Sequence, residues 1–547
     1  MKSAKVSQLE ERIETLTKLI TSCKTVFPTP NAGSTPESST LPTPPVSTTQ
    51  ESNGQGELGA VLECGYWVPN LNHGIRAPLE RDGDGMFSFY LPEAYQEKLL
   101  NFFRAEMNHH FPFVIVPSIL TAGLFRKDHP FLFRACIAAA AHCDPPNQKR
   151  LGEDLLKTIG ERMLVRSEKS LDLLQGLLVL IAWYQFYNHF NPQIMNLLHL
   201  CMALTVDLGL NRPQPTGAQS QLRVVIDTAS LLHGKGCTQG LRTADERRAL
   251  LGCYWLSAKM SYSFKRVDAM RFTAHLEDCC QVLLAEAEYP SDIALVQHVR
   301  LQRVVERYIP QALGQPCLPV PVRSFVKCFE EDIQKFRQSI PRDLLKDAHL
   351  EIHILGAQIG MYEIIQMTDC DLPIHRIEAW SACLNRVGEF WDCFLSQPNE
   401  QLPNLTFMSW LHTVHILLVV AKLSFIPAEG WDLDYVRTKC SFATLTDRLI
   451  EKLSAVAKLE TGFPSPRPLA IRFNMYCEKM RMCKRWYEAK INAEEAVKAS
   501  EQAAVFAGRS AIPGPASPDL DCPGLFDTFD DTVWQDFMYD WAAPMQF

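Results

Sequence analysis

Cysteine is the residue type with the greatest capacity for chemistry in this chain, which carries 18 of them. A zinc site needs four converging ligands, usually from two pairs of cysteines separated by two residues, and no such pair occurs. The close groups are Cys136 and Cys143, Cys279 and Cys280, and Cys477 and Cys483. Most cysteines lie in apolar helical context, so we expect core side chains. A redox role for Cys279 and Cys280 is the alternative.

Histidine is the second candidate metal ligand. His109 and His110 are adjacent, so on a helix their side chains point about 100° apart and cannot chelate one metal as an i, i+4 pair could. We therefore predict ordinary, partly buried histidines here and no metal site.

Motifs for nucleotide or hydrolytic chemistry are missing from the sequence. It contains no glycine-rich phosphate loop, no nucleophile elbow and no zinc-protease helix. A helical terpenoid-cyclase-like enzyme would need clustered aspartates for magnesium, and Asp530-Asp531 is the only candidate, followed by Val533 and Trp534 instead of a third acid. We predict no enzyme, no catalytic residue and no cofactor in this chain, with the cyclase as a remote alternative.

The composition of the chain restricts the kinds of surface with which it can bind nucleic acid or membranes. It has 547 residues, 47% of them apolar, and a net charge of -8, which suits one large core and argues against coating nucleic acid with the whole surface. Any DNA contact must come from a small local module. We expect a soluble intracellular protein without a secretory leader, because the apolar stretches around residues 173–184 and 416–423 are shorter than the roughly 20 residues that cross a bilayer.

The first segment, residues 1–26, has the pattern of a short coiled coil. Apolar residues alternate spacings of three and four, with β-branched residues at one seam position and leucines at the other, which favours parallel dimers. These predicted dimerisation residues are Val6, Leu9, Ile13, Leu16 and Ile20. The alternative is an amphipathic helix that packs on its own chain. Residues 27–60 are mostly Pro, Ser, Thr and Gly and predict a disordered linker.

Residues 61–507 predict an all-helical domain, because long apolar-periodic segments recur between short breakers and no run of alternating strands appears. Residues 171–190 and 194–208 predict a pair of helices, the second ended by Gly209. Thr243 and Glu246 have capping-box spacing, so another helix should start there. We expect Trp183 and Trp255 in the core, and Arg247-Arg248 capping a helix or pairing at the surface.

Residues 508–547 form a flexible tail in which aspartates and large aromatic residues are interleaved, without Lys or Arg from residue 521 onward. Such a segment can fold into an apolar groove of a partner, as activation segments do. The candidate anchors are Phe526, Phe529, Trp534, Phe537 and Trp541. The alternative is a terminal helix that docks on the chain's own core.

Several stretches resemble, in order, the middle regulatory region of fungal binuclear zinc cluster transcription factors. They are Phe102–Pro117 with its Asn-His-His-Phe-Pro-Phe-Val-Ile-Val-Pro ending, Leu173–Tyr187, the helix end Leu204–Pro213, Glu246–Phe264 and Arg266–Met270. The resemblance covers roughly residues 95 to 310. It implies a nuclear helical scaffold that regulates a DNA-bound dimer, with transcription machinery or a coactivator as partners.

The DNA-reading module of that family has six clustered cysteines holding two zinc ions, ahead of the coiled coil. In this chain Cys23 is the only cysteine before Cys64, and Lys2 and Lys5 are too few for an electrostatic footprint. Zinc is therefore expected only if such a cluster lies upstream. Either the protein starts upstream and binds promoter DNA directly, or it pairs with a cluster-bearing factor as a modulator that does not touch DNA.

Overall fold

The computed structural model describes residues 91–186, 193–213, 242–264, 268–308, 322–366, 373–459 and 468–506. All of them belong to one unit, Leu79–Phe547. The described residues contain helices and no strand, which confirms the predicted all-α class. None of their helices is both long enough and apolar enough to pass through a bilayer.

The α-helices are numbered in chain order. They are α1 (Glu93–Phe102), α2 (Ala122–Asp128), α3 (Pro130–Ala140), α4 (Pro145–Ile159), α5 (Leu171–Ala182), α6 (Ile194–Asp207), α7 (Ala244–Phe264), α8 (Ala274–Glu286), α9 (Ser291–Glu306), α10 (Val322–Ser339), α11 (Ala348–Gln366), α12 (Pro373–Ser396), α13 (Phe407–Leu423), α14 (Leu433–Lys439), α15 (Phe442–Ala457) and α16 (Pro468–Phe506). Short 3₁₀ or π segments extend or connect several of them, including Phe103–Met107 and Asn108–His110 after α1.

Helix α5 lies at the centre, since every residue from Leu173 to Ala182 is buried. It packs against α3 and α6, so the predicted neighbouring pair is confirmed. The predicted helix over residues 171–190 was too long, because α5 ends at Ala182. The Trp183 backbone leaves the helical region while its indole Nε1 donates a 2.9 Å hydrogen bond to the Asn404 carbonyl, so tertiary contact overrides local propensity here.

Two helix ends form as the sequence predicts. Gly209 adopts a φ of 66°, and the amides of Gly209 and Leu210 donate to the Val206 and Thr205 carbonyls, which is the Schellman arrangement. At the start of α7 the Thr243 amide donates to a Glu246 carboxylate oxygen at 2.9 Å, and the Glu246 amide donates to the Thr243 hydroxyl at 3.2 Å. The capping box therefore forms reciprocally.

Arg248 pairs with acidic side chains as predicted, but the predicted surface location is wrong. Its side chain is 1% exposed and makes two bonds to the Asp292 carboxylate, at 2.7 and 2.9 Å, with Asp292 itself 0% exposed. Asp245 and Glu288 add contacts at 2.8 Å each. A buried arginine needs such a complete set of acceptors, and the network fixes α7 against the start of α9.

Candidate functional site

The residues predicted for dimerisation and activation lie outside the described part of the chain. They are Val6, Leu9, Ile13, Leu16 and Ile20 at one end, and Phe526, Phe529, Trp534, Phe537 and Trp541 at the other. Asp530-Asp531, the aspartates of the cyclase alternative, also lie outside it. All three assignments stay predictions.

The cysteines within the described residues are mostly core side chains, as predicted. Cys279 and Cys280 are both buried and neither forms a disulfide. Burial raises the pKa of the Cys279 thiol, and it raises the pKa of Cys280 to about 12. Because the thiolate is the reactive form, both are poor nucleophiles at neutral pH and the redox alternative has no support.

A buried cluster of histidines was not predicted, and it is the most unusual polar feature of the described residues. Its members are His110 from the turn after α1, His298 from α9, His349 and His353 from α11, and His412 from α13; these five residues are called the histidine cluster below. His110, His298, His353 and His412 are each at most 5% exposed, and His349 is half-buried.

The imidazole rings contact one another in sequence. Ring centroids lie 5.4 Å apart for His110 and His349, 4.8 Å for His349 and His353, and 5.2 Å for His353 and His412. His298 joins from α9, 5.4 Å from His349 and 5.1 Å from His353. The cluster thus connects a half-buried ring to rings in the interior.

Many ring nitrogens in this cluster lack a hydrogen-bond partner within the described residues. Both nitrogens of His110 and His353 are buried and unpartnered, as is Nδ1 of His298 and of His412. Buried polar groups in folded proteins are usually paired, because an unpaired one costs about 1–3 kcal/mol.

Burial keeps these histidines neutral. It lowers the pKa of His298, His353 and His412 well below the usual value, and neighbouring His349 and Lys259 lower them further. The pKa of His349 falls to about 4 by burial, against the opposing effect of Asp347. Each neutral ring offers one N–H donor and one acceptor nitrogen.

Lys259 is the cation beside this cluster. It lies in the buried stretch of α7, its side chain is 4% exposed, and its Nζ is 5.9 Å from the centre of the Trp255 ring. Burial lowers its pKa to about 8, so the ammonium is still mainly protonated at neutral pH.

Trp255 separates the polar cluster from an aromatic one. Its ring centroid is 5.5 Å from that of His353 and 5.5 Å from that of Phe113. Phe111 completes this aromatic group, 6.2 Å from Trp255. The site therefore pairs one cation and several hydrogen-bonding rings with a rigid apolar wall.

Sequence reasoning missed this site, although two signals pointed to it. His349 and His353 have the i, i+4 spacing that places both rings on one face of α11. Lys259 is the charged residue within residues 251–260, all of which are buried. His110 belongs to the site, and the prediction of ordinary histidines at 109 and 110 rested on local spacing alone.

No group of three or more His, Cys, Asp or Glu side chains among the described residues could hold a metal ion. The described residues thus form a large helical unit with a buried lysine beside a cluster of histidines.

Two models of known protein families match the sequence of this chain. The WAR1 C-terminal domain profile matches residues 88–352, and a second profile, described as a C-terminal domain, matches residues 399–546. No solved structure matches the chain.

Curated relatives are all transcription factors of filamentous fungi. The chain is 25% identical to transcription factor opdL of Penicillium oxalicum, over 78% of this chain and 76% of that protein. It is 26% identical to transcription factor himD of Aspergillus japonicus, over 81% of this chain and 78% of that protein. Transcription factor pbcR of Emericella nidulans is 26% identical over 61% of this chain and 46% of its own length.

These matches confirm the resemblance read from the sequence. The chain is similar to the C-terminal domains of fungal transcription factors over residues 88–352 and 399–546, and to fungal transcription factors over most of its length. The first profile contains the whole stretch in which the sequence resembles the family, and it includes His110, His298 and His349 of the histidine cluster but not His353 or His412.

Proposed function

We propose that this chain is a nuclear regulator of transcription by RNA polymerase II that acts as a dimer and activates its target genes. Two matches carry the proposal. Two C-terminal domain profiles match the chain, and the match to two fungal transcription factors covers about three quarters of the length of each of those proteins. Those relatives also argue against the cyclase alternative. The mechanism would be scaffolding, in which the helical domain controls what the two ends of the chain bind.

Activation is assigned to the tail, because its aspartates keep it solvated and its aromatic residues fit an apolar groove. Residues 521–547 fused to a neutral DNA-binding domain should drive a reporter, and replacing Phe529, Trp534 and Phe537 by alanine should abolish the signal. Alanine at Asp527 and Thr528 serves as the matched control and should retain most of it. A silent fusion would refute the activation role.

Dimerisation is assigned to residues 6–20. The full chain should sediment as a dimer, and Leu9→Asp with Leu16→Asp should convert it to a monomer, because charges in the seam cannot be buried. A matched control is Glu11→Lys, outside the seam. If the double variant stays dimeric, the contact lies elsewhere.

Two routes to DNA follow from the family. In the first, a six-cysteine cluster encoded upstream reads the promoter, and zinc then belongs to the protein. In the second, the chain pairs with a cluster-bearing factor and modulates it without touching DNA. Mapping the 5′ end of the native transcript separates the two, since only the first predicts clustered cysteines in the upstream frame.

A further inference from the structure

We propose that the outward side of α16, between residues 471 and 490, is the docking surface for the chain's own acidic, aromatic tail, residues 521–547. The inward side of the same helix packs along α15. The docking can be tested without any measurement of transcription. Its consequence, that a coactivator has to displace the tail from this surface, rests on the function proposed above.

An apolar stripe runs along the outward side of α16. Its members recur at spacings of four and seven residues, which places them on one side of a helix: Ile471, Met475, Met482 and Trp486. Ile471 is 75% exposed and Met482 is 39% exposed, whereas Met480, on the inward side, is fully buried. Methionine adapts its shape to a partner, so this stripe suits a segment that presents aromatic rings.

Basic side chains flank the apolar stripe. On the helical path, Arg481 and Arg485 follow one edge of the stripe, and Lys479 and Lys490 follow the other. Arg481 forms an ion pair within its own helix. Arg485 is exposed and has no ion pair among the described residues, so its charge is available to a partner. The surface therefore suits an acidic segment with apolar side chains.

The tail has the complementary composition. Residues 521–547 carry six aspartates and no Lys or Arg, with large aromatic side chains between them, whereas residues 478–490 carry five basic and two acidic side chains. Rings such as those of Phe529 and Trp534 would cover the apolar stripe, while neighbouring aspartates meet the flanking bases. A second copy of the same surface is a poorer occupant, because two cationic surfaces repel each other.

The position of the tail along the chain supports the same occupant. One family model matches residues 399–546 and so covers both α13 to α16 and the tail. Helix α16 ends at Phe506, and a helix rises about 1.5 Å per residue, so Arg485 lies about 30 Å back along it. Residues 507–520 can span up to about 45 Å, which is enough for the tail to return. Attachment to the same chain also raises the local concentration of the tail at this surface.

Photo-cross-linking in the full chain tests the docking. A benzophenone side chain placed at Phe529 inserts into nearby C–H bonds, those of methionine preferentially, and peptide mass spectrometry then locates the product. We expect products on peptides that contain Met475 or Met482, in a band of single-chain mass on a denaturing gel. Products of double-chain mass would mean that a second copy is the occupant, and products confined to other surfaces would also overturn the proposal.

Charge reversal on α16 tests the complementarity. Arg481→Glu with Arg485→Glu should lower the yield of this product roughly tenfold, because attraction to the aspartates becomes repulsion. The matched control is Arg126→Glu with Lys127→Glu, two exposed bases in the last turn of α2, which should leave the yield unchanged. Ile471→Ser, a second variant that keeps every charge, should lower the yield roughly threefold or more. A yield that survives both changes on α16 would refute the proposal.

A reporter assay distinguishes the docking from the activation role. With the full chain fused to a neutral DNA-binding domain, Arg481→Glu with Arg485→Glu should raise the output, because the tail is no longer held by α16. A cross-link that forms as expected, with a reporter that stays silent for the full chain and for the isolated tail, would refute the activation role and leave the docking standing. An active reporter that the charge reversal leaves unchanged would overturn the competition between α16 and a coactivator.

Discussion

Replacing the buried Lys259 by methionine should stabilise the protein. Burial lowers the pKa of Lys259 from 10.5 to about 8, so the folded protein holds this proton less tightly than the unfolded chain. At pH 7, below both values, that difference corresponds to about 3 kcal/mol of lost stability. Methionine has similar volume and no charge to desolvate, so most of this loss should be recovered.

Urea unfolding of the full chain measures this directly. The gain in free energy of unfolding should be about 3 kcal/mol at pH 7 and less than half of that at pH 9.5. Above pH 8 the folded lysine is already neutral, and the cost of removing its proton falls as the pH approaches the pKa of the unfolded lysine. Lys327→Met, at an exposed position, should change stability by less than about 0.5 kcal/mol at either pH. A destabilised Lys259→Met, or a gain that is independent of pH, would refute the reasoning.

Three further results are expected. Arg248→Met should lower the free energy of unfolding by about 3–5 kcal/mol by leaving Asp292 buried and unpaired, and adding Asp292→Leu should restore part of it in the same urea titration. Burial lowers the pKa of His353, so below about pH 6.5 the unfolded chain binds a proton at this side chain that the folded protein does not, and the free energy of unfolding falls. His353→Leu should make the fall in the free energy of unfolding between pH 7 and pH 5 smaller by about 2 kcal/mol. An unchanged dependence on pH would contradict this. Gly360→Ala should destabilise by about 1–3 kcal/mol, since its Cβ would lie 1.9 Å from a tyrosine hydroxyl, whereas Gly388→Ala, with open space around it, should stabilise by about 0.5–1 kcal/mol in thermal unfolding.

Local features of the fold were predictable because they depend on neighbouring residues. The Thr243–Glu246 box and the Gly209 end are set by three or four consecutive residues, and both form. The end of α5 was not predictable, since the contact that accompanies it joins Trp183 to Asn404, which is 221 residues away.

The same distinction explains what was missed at the site. In the sequence, Arg247 and Arg248 both look like surface arginines. The structure shows that Arg248 donates to the Asp292 carboxylate, which is 44 residues further along the chain. The histidine cluster draws on residues from His110 to His412, so no short pattern contains it. Only the pair His349 and His353 was visible as a local spacing, and a spacing of two histidines does not specify what surrounds them.

Chromatin immunoprecipitation of the tagged native protein, combined with transcript sequencing of a strain that lacks it, tests the central claim most directly. The account predicts that the protein is enriched at discrete promoters and that transcripts from those genes fall when it is deleted. A protein that is absent from promoters, in a deletion strain whose transcripts are unchanged, would contradict it.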